Sequence, residues 1–191
     1  MTEKPIIFSA PMVRAVIAGE KTQTRRVITP QPPTMIYNDG TNRWYPSGVW
    51  GGKDWHAKYE AGDLLWVRET FGSSLLGDYT FLQYKATVDT DDPCAYPIDF
   101  AQYEKIESKS WRPSIFMPRW ASRITLRVTS VRAQRLQDIN EDDAAAEGIK
   151  RHSGPYILDF AKLWDDINAK RGHSWNSNPW VWAYKFEVVQ P

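Results

Sequence analysis

The chain has one cysteine, Cys94, so it can close no disulfide within itself, and it suits a reducing compartment. Its three histidines, His56, His152 and His173, lie far apart with no ligand spacing, so no metal centre is expected. No Gly-x-x-x-x-Gly-Lys-Ser/Thr loop, Gly-x-Gly-x-x-Gly turn or Gly-x-Ser-x-Gly elbow occurs, so neither a nucleotide cofactor nor a serine-hydrolase elbow is indicated, and no cofactor is expected. No apolar run has the length of a membrane span, and none follows Met1-Thr2-Glu3-Lys4-Pro5 as a secretory leader would. A cytoplasmic protein with no membrane partner is the expectation. There is also no strong charge of either sign: 24 basic residues face 23 acidic ones. A protein that binds phosphate backbones non-specifically is normally more basic, so a small ligand or a local basic groove is favoured.

What is abundant is tryptophan, with ten in 191 residues. More indole than a core of this size needs suggests an aromatic-lined pocket or surface. The length suits a single domain spanning 1–191 that buries its own core. Ile6-Ile7-Phe8 reads as an opening strand. Pro11 to Ala18 reads as a short helix with Val13, Val16 and Ile17 on its apolar side, stopped by Gly19. Residues 30–60, rich in Pro, Gly, Asn and Trp, read as a long loop or loose hairpin. Leu64 to Glu69 alternates, with Leu64, Trp66 and Arg68 on one face and Leu65, Val67 and Glu69 on the other. Tyr79 to Ala86 is the next strand, and residues 87–118 form a second insertion. Ser122 to Arg132 is a strong strand with Ile124, Leu126 and Val128 on one face. A helix capped by Asn140 runs to Ala146. A second runs from Pro155 to Lys170 with Ile157, Phe160, Ala161, Trp164 and Ile167 as its apolar side, and Trp180 to Val189 closes the chain as a strand.

The stretch with most chemistry in it is Gly19-Glu20-Lys21-Thr22-Gln23-Thr24-Arg25-Arg26. Lys21 and Thr24 are three apart, so in a flat strand they would face opposite ways, and only a bent backbone brings them together. A lysine withdrawn from water beside cationic arginines loses its proton more readily and can serve as a general base. A hydroxyl next to it is then a candidate nucleophile. Without that pairing Lys21 is an ordinary surface lysine and Thr24 a turn residue. Glu147 is one acid among Glu141, Asp142 and Asp143, but it sits at a helix end where the dipole disfavours a negative charge, which points to a cationic partner. Glu69 shares a face with apolar residues, so it either pairs with an arginine such as Arg26 or serves a site.

Gly19-x-Lys21-x-x-Thr24-x-Arg26 after a short helix resembles the ASCH domain family, a branch of the PUA-like β-barrels. Gly62 to Glu69 is similar to that family's first long barrel strand, and Ile139 to Ile149 to its later acidic helix. Phe160 to Trp164 and Asn178-Pro179-Trp180-Val181-Trp182 are similar to the endings of longer ASCH proteins, many of them carried by phages or prophages. The resemblance covers most of the chain except the two insertions. It implies an α+β fold, a small PUA-like β-barrel with flanking helices. For the amidohydrolase type it further implies a catalytic group of Lys21, Thr24 and Glu147 that removes the acyl group from N4-acylated cytosine nucleosides or bases. Arg26 matches the family's arginine and is expected at the substrate, while Arg25 does not match and reads as a surface residue. Glu69 and Trp66, with Trp44 and Trp50 from the first insertion, are the further substrate-binding candidates; indoles there would stack on a pyrimidine.

The alternative is an RNA-binding or RNA-processing module. Arg112, Arg119, Arg123, Arg127, Arg132 and Arg135 form a basic series with Trp111 and Trp120 among them, which suits single-stranded RNA. Such a series is also what the wet face of a half-buried strand looks like.

Overall fold

A computed structural model describes residues 3–34, 36–38, 40, 43–46, 54–76, 79–88, 96–98, 111–152 and 154–190. The class is α+β. The strands are β1 (Glu3–Ile7), β2 (Gln23–Val27), β3 (Ile36–Asn38), β4 (Arg43–Pro46), β5 (Trp55–His56), β6 (Leu64–Arg68), β7 (Phe71–Leu76), β8 (Tyr79–Tyr84), β9 (Tyr96–Ile98), β10 (Thr125–Arg135) and β11 (Trp180–Gln190). The α-helices are α1 (Ala10–Ile17), α2 (Glu141–Ala145) and α3 (Tyr156–Asn168). Five strands pair in the order β1-β6-β10-β11-β2, and two three-stranded sheets have the orders β3-β4-β5 and β7-β8-β9.

The chain forms two compact units. The first comprises Gly19–Asp63 and Arg127–Glu187. Its core gathers Leu136, Ile139, Ala144, Phe160, Trp164 and Val181. Phe160 and Trp164 are four apart on α3 and so share one face. Ile167, expected on that face, is 38% exposed because it falls in the last turn, where the helix leaves the core. Of the two expectations for the first insertion the described residues fit the hairpin: β4 pairs antiparallel with β3 and β5 in a small meander.

The second unit holds β1, α1 and the stretch Leu64–Leu126. Here β1 and β6 pair in parallel, Pro5 opposite Trp66. The alternation read from sequence is the alternation found, since Leu65 and Val67 are buried while Leu64, Trp66 and Arg68 are half-buried. A cluster of Phe71, Leu82, Tyr84, Met117 and Ala121 makes its core. Most of the second insertion, with Cys94, lies outside the described residues, as does Trp50. No helix among the described residues is long and apolar enough to cross a membrane.

Candidate active site

Gly19 has φ +73°, the left-handed conformation that lets the chain leave α1 sharply. Lys21 then makes an isolated antiparallel bridge with Glu147. Thr22 and Gln23 both donate their amides to one carbonyl, Ala146 O, at 2.8 and 2.9 Å. Two successive residues facing one partner are a β-bulge, which shifts the side-chain alternation by one position. The bulge opens a strand rather than a turn: β2 begins at Gln23 and pairs antiparallel with β11. Across that pair Thr24 faces Tyr184 and Arg26 faces Trp182, while Arg25 lies opposite Ala183.

On the other side of the bridge, Asn140 caps α2 by accepting the Asp143 amide at 2.8 Å, and the helix ends at Ala146. Gly148, at φ +74°, turns the chain away and leaves Glu147 on the bridge. The carboxylate that the dipole disfavours has two cationic partners. Lys21 Nζ donates to Glu147 Oε2 at 2.9 Å, to Glu147 O at 2.9 Å and to Gln23 O at 2.8 Å. Arg25 Nη1 donates to Glu147 Oε1 at 2.9 Å.

Lys21 is 1% exposed and Glu147 5% exposed, so this is a buried charge cluster. Burial pushes the Lys21 amine below its ordinary value. Glu147 pulls it up by charge and hydrogen bond, and Arg26 and Arg25 push it down again. The Arg26 guanidinium is likewise lowered by burial, against Glu147, Tyr59 and Tyr184, but an arginine stays charged. Burial raises the phenols of Tyr59 and Tyr184, and Arg26 works against that rise in both.

Thr24 is 2% exposed. It shares the Arg26 face of β2 with aromatic neighbours. Trp44 meets Trp182 edge-on at 5.1 Å, and Tyr59 meets Tyr184 edge-on at 5.1 Å. The Trp44 indole N–H is buried with no partner among the described residues. Lys21, Glu147, Arg25 and the Thr24 strand thus come together, and Trp44 lies over the same sheet face as Thr24 and Arg26. Trp182, Tyr59 and Tyr184 were not singled out from sequence; period-two alternation in Trp180-Val181-Trp182-Ala183-Tyr184 was the signal for the β11 pair.

Arg25 corrects the sequence reading. It is buried, 4% exposed, because its face of β2 is covered by α2 and α3: Nη2 donates to Asp143 Oδ2 at 2.8 Å and the guanidinium lies 5.8 Å from the Phe160 ring centre. Asp143 was also missed. It accepts from Gln23 Nε2 at 2.6 Å and from Arg132 Nη2 at 2.9 Å. Burial raises its carboxyl, but these contacts outweigh burial and hold it below the usual carboxylate range.

Glu69, in the second unit, takes an arginine, but the partner is Arg123 and not Arg26. Arg123 Nε and Nη2 donate to its two oxygens at 2.9 and 3.0 Å. Trp66 is half-buried, with the Arg68 guanidinium 5.1 Å from its ring centre. A surface depression of about 400 Å³ is lined by Glu20, Gly148, Lys150, Arg151 and Tyr156 among others; Lys21, Thr24 and Glu147 do not line it. No group of three or more metal-ligating side chains forms among the described residues.

No protein-family model and no curated protein matches the chain. Two solved structures are similar to it. One is a protein of Enterococcus faecalis V583 described by the DUF984 family model, at TM-score 0.45 and 13% identity over 100% of this chain and 82% of that one. The other is an ASCH domain from Lactobacillus crispatus JV V101, at TM-score 0.45 and 11% identity over 100% and 81%. The second bears the family name that the motifs suggested; at these scores neither carries weight for function.

Proposed function

We propose that the chain is an amidohydrolase that removes the acyl group from N4-acylated cytosine nucleosides or bases. The observation that carries this is the buried Lys21–Glu147 pair, joined across 126 residues of sequence at the bulge that opens the Thr24 strand. The substrate class comes from the ASCH resemblance. Lys21, in its neutral form, takes the Thr24 proton; Thr24 Oγ1 attacks the acyl carbon; the acyl C–N4 bond breaks as the Lys21 ammonium gives that proton to the leaving cytosine amine, and water then hydrolyses the acyl ester to release the acid and restore Thr24. Burial favours the neutral amine, whereas the three acceptors around Nζ favour the ammonium, so proton loss and reorientation toward Thr24 go together. Glu147 orients the amine. Arg26, on the Thr24 face, orients the substrate, and Trp44 and Trp182 supply the aromatic surface for the base. Lys21 and Thr24 are covered, so a substrate reaches them only when covering side chains shift.

The test is release of acetate and cytidine from N4-acetylcytidine. Wild type releases both, and Lys21→Ala and Thr24→Ala release neither. Equal release by Lys21→Ala ends the proposal.

RNA binding is the weaker reading. Exposed Trp111, Phe116 and Trp120 favour it. Against it, four arginines of the basic series already hold carboxylates: Arg119 with Glu3, Arg123 with Glu69, Arg127 with Glu187 and Arg132 with Asp143. Tight RNA affinity with a steep salt slope would reverse that ranking.

A further inference from the structure

The Lys21–Glu147 pair does not stand alone. The two oxygens of Glu147 go to different cations, Oε2 to Lys21 and Oε1 to Arg25, each at 2.9 Å. Arg25 is fixed in turn: its other terminal nitrogen donates to Asp143 Oδ2 at 2.8 Å. Asp143 cannot swing away, because Gln23 Nε2 holds Oδ1 at 2.6 Å, Arg132 Nη2 shares Oδ2 at 2.9 Å, and the Asp143 amide is capped by Asn140. Arg25 and Gln23 stand on the same face of β2, two apart, and both reach the one turn of α2. A planar guanidinium can bridge two carboxylates in this way; an ammonium, a single point charge, cannot bridge them with the same geometry.

We propose that Arg25, clamped by Asp143, is a positioning residue for Glu147: its fork claims Oε1 and so fixes Oε2 as the oxygen presented to Lys21. This deepens the amidohydrolase reading and rests on it for its catalytic meaning. The geometric claim can be tested without turnover. Without the fork, the carboxylate rotates and offers both oxygens to the amine. The charged groups facing Lys21 are Glu147, Arg25 and Arg26, with Tyr59 and Tyr184 beside Arg26. Loss of Arg25 removes a like charge and frees an acceptor, and both effects make Lys21 hold its proton to higher pH.

The experiment follows the Lys21 side chain by NMR, with ¹³C and ¹⁵N labelling at the ε-methylene and amine, through a pH titration of the full chain. Wild type, Arg25→Gln, Arg25→Lys and Asp143→Asn are compared after thermal unfolding has established that each is folded. In Arg25→Gln the midpoint rises by about one pH unit, a tenfold gain in proton affinity. Arg25→Lys keeps the charge and loses the fork, and it rises as well. Asp143→Asn rises by less, because it only loosens the clamp; a pure charge effect would lower it. A wild-type midpoint in Arg25→Lys, or a fall in Asp143→Asn, overturns the positioning role. Where N4-acetylcytidine is turned over, the acid limb of kcat/KM moves up by the same amount in each variant. Where it is not, the amidohydrolase reading fails, and the titration still decides the geometry.

Discussion

Glu69 and Glu147 are buried to nearly the same degree, 1% and 5% exposed, and each bonds an arginine at about the same distance. Glu69 spends both oxygens on Arg123, whose guanidinium also lies 4.0 Å from the Tyr84 ring centre. That pair is closed. Glu147 divides its oxygens between an arginine and a lysine, and burial lowers the amine of that lysine below its ordinary value. The same residue types thus give a closed pair in one unit and, in the other, the shared cluster on which the amidohydrolase proposal rests, and the difference lies in whether one carboxylate serves one cation or two.

The largest effect should come from breaking the closed pair. Glu69→Ala takes from the buried Arg123 guanidinium the carboxylate that accepts from both its Nε and Nη2, at a cost of about 3–5 kcal/mol. A urea unfolding series should show this as a lower midpoint with unchanged slope. Release of cytidine per folded molecule should stay close to wild type. A stable Glu69→Ala protein that loses substrate binding would instead return Glu69 to the site. Breaking the divided pair should do the reverse. Glu147→Gln keeps a hydrogen-bond acceptor for Lys21 and removes its counter-charge, so turnover should fall about 10²–10³-fold, the scale of acid–base contributions, with a smaller loss of stability. Steady-state kinetics with N4-acetylcytidine at fixed pH measures it.

Why one centre was legible in the sequence and the other was not follows from where their signals reside. Gly19 after an amphipathic turn, Asn140 before an acidic turn and the alternation of Leu64 to Arg68 are local patterns, and all three elements form with those residues in those roles. The Lys21–Glu147 bridge joins residues 126 apart, so no spacing rule reaches it, and it came from resemblance to a family. The fork of Arg25 escaped both routes. Two adjacent arginines on a strand necessarily face opposite sides, and only the helices packed on one side decide which is buried. Asp143 was one of several acids in a helix turn for the same reason, and Arg123 was chosen for Glu69 by a strand pairing that no local pattern carries. Trp50 lies outside the described residues.

pH offers a finer separation of the two centres, with slopes of opposite sign. Burial raises the Glu69 carboxyl above its ordinary value despite Arg123. From pH 4.5 up to the raised value Glu69 holds a proton in the folded chain that it has lost in the unfolded one, so its own contribution to stability is highest below pH 4.5 and declines as pH rises through that window. Lys21 is lowered, so from its lowered value up to pH 10.5 the unfolded chain holds a proton that the folded chain lacks, and stability rises with pH there. Urea midpoints across the pH range should show both limbs. Glu69→Gln should flatten the acid-side decline alone, and Lys21→Met the alkaline rise alone. A variant that flattens the wrong limb breaks the assignment.

The smallest effect sharpens the comparison most, because it isolates burial. Glu3 and Arg119 make the same fork as Glu69 and Arg123: Nε to one oxygen at 2.8 Å and Nη2 to the other at 3.2 Å. Both side chains are open to solvent, 48% and 43% exposed. The hydrogen bond and charge of Arg119 lower the Glu3 carboxyl, but water and salt screen the pair, and two long side chains lose freedom in forming it. Glu3→Ala should therefore leave the urea midpoint unchanged within error at low and high salt, beside the large fall in Glu69→Ala. If the two variants fell alike, fork geometry and not desolvation would set the strength of these pairs, and the distinction between Glu69 and Glu147 would have to be sought in something other than how each buried carboxylate is shared.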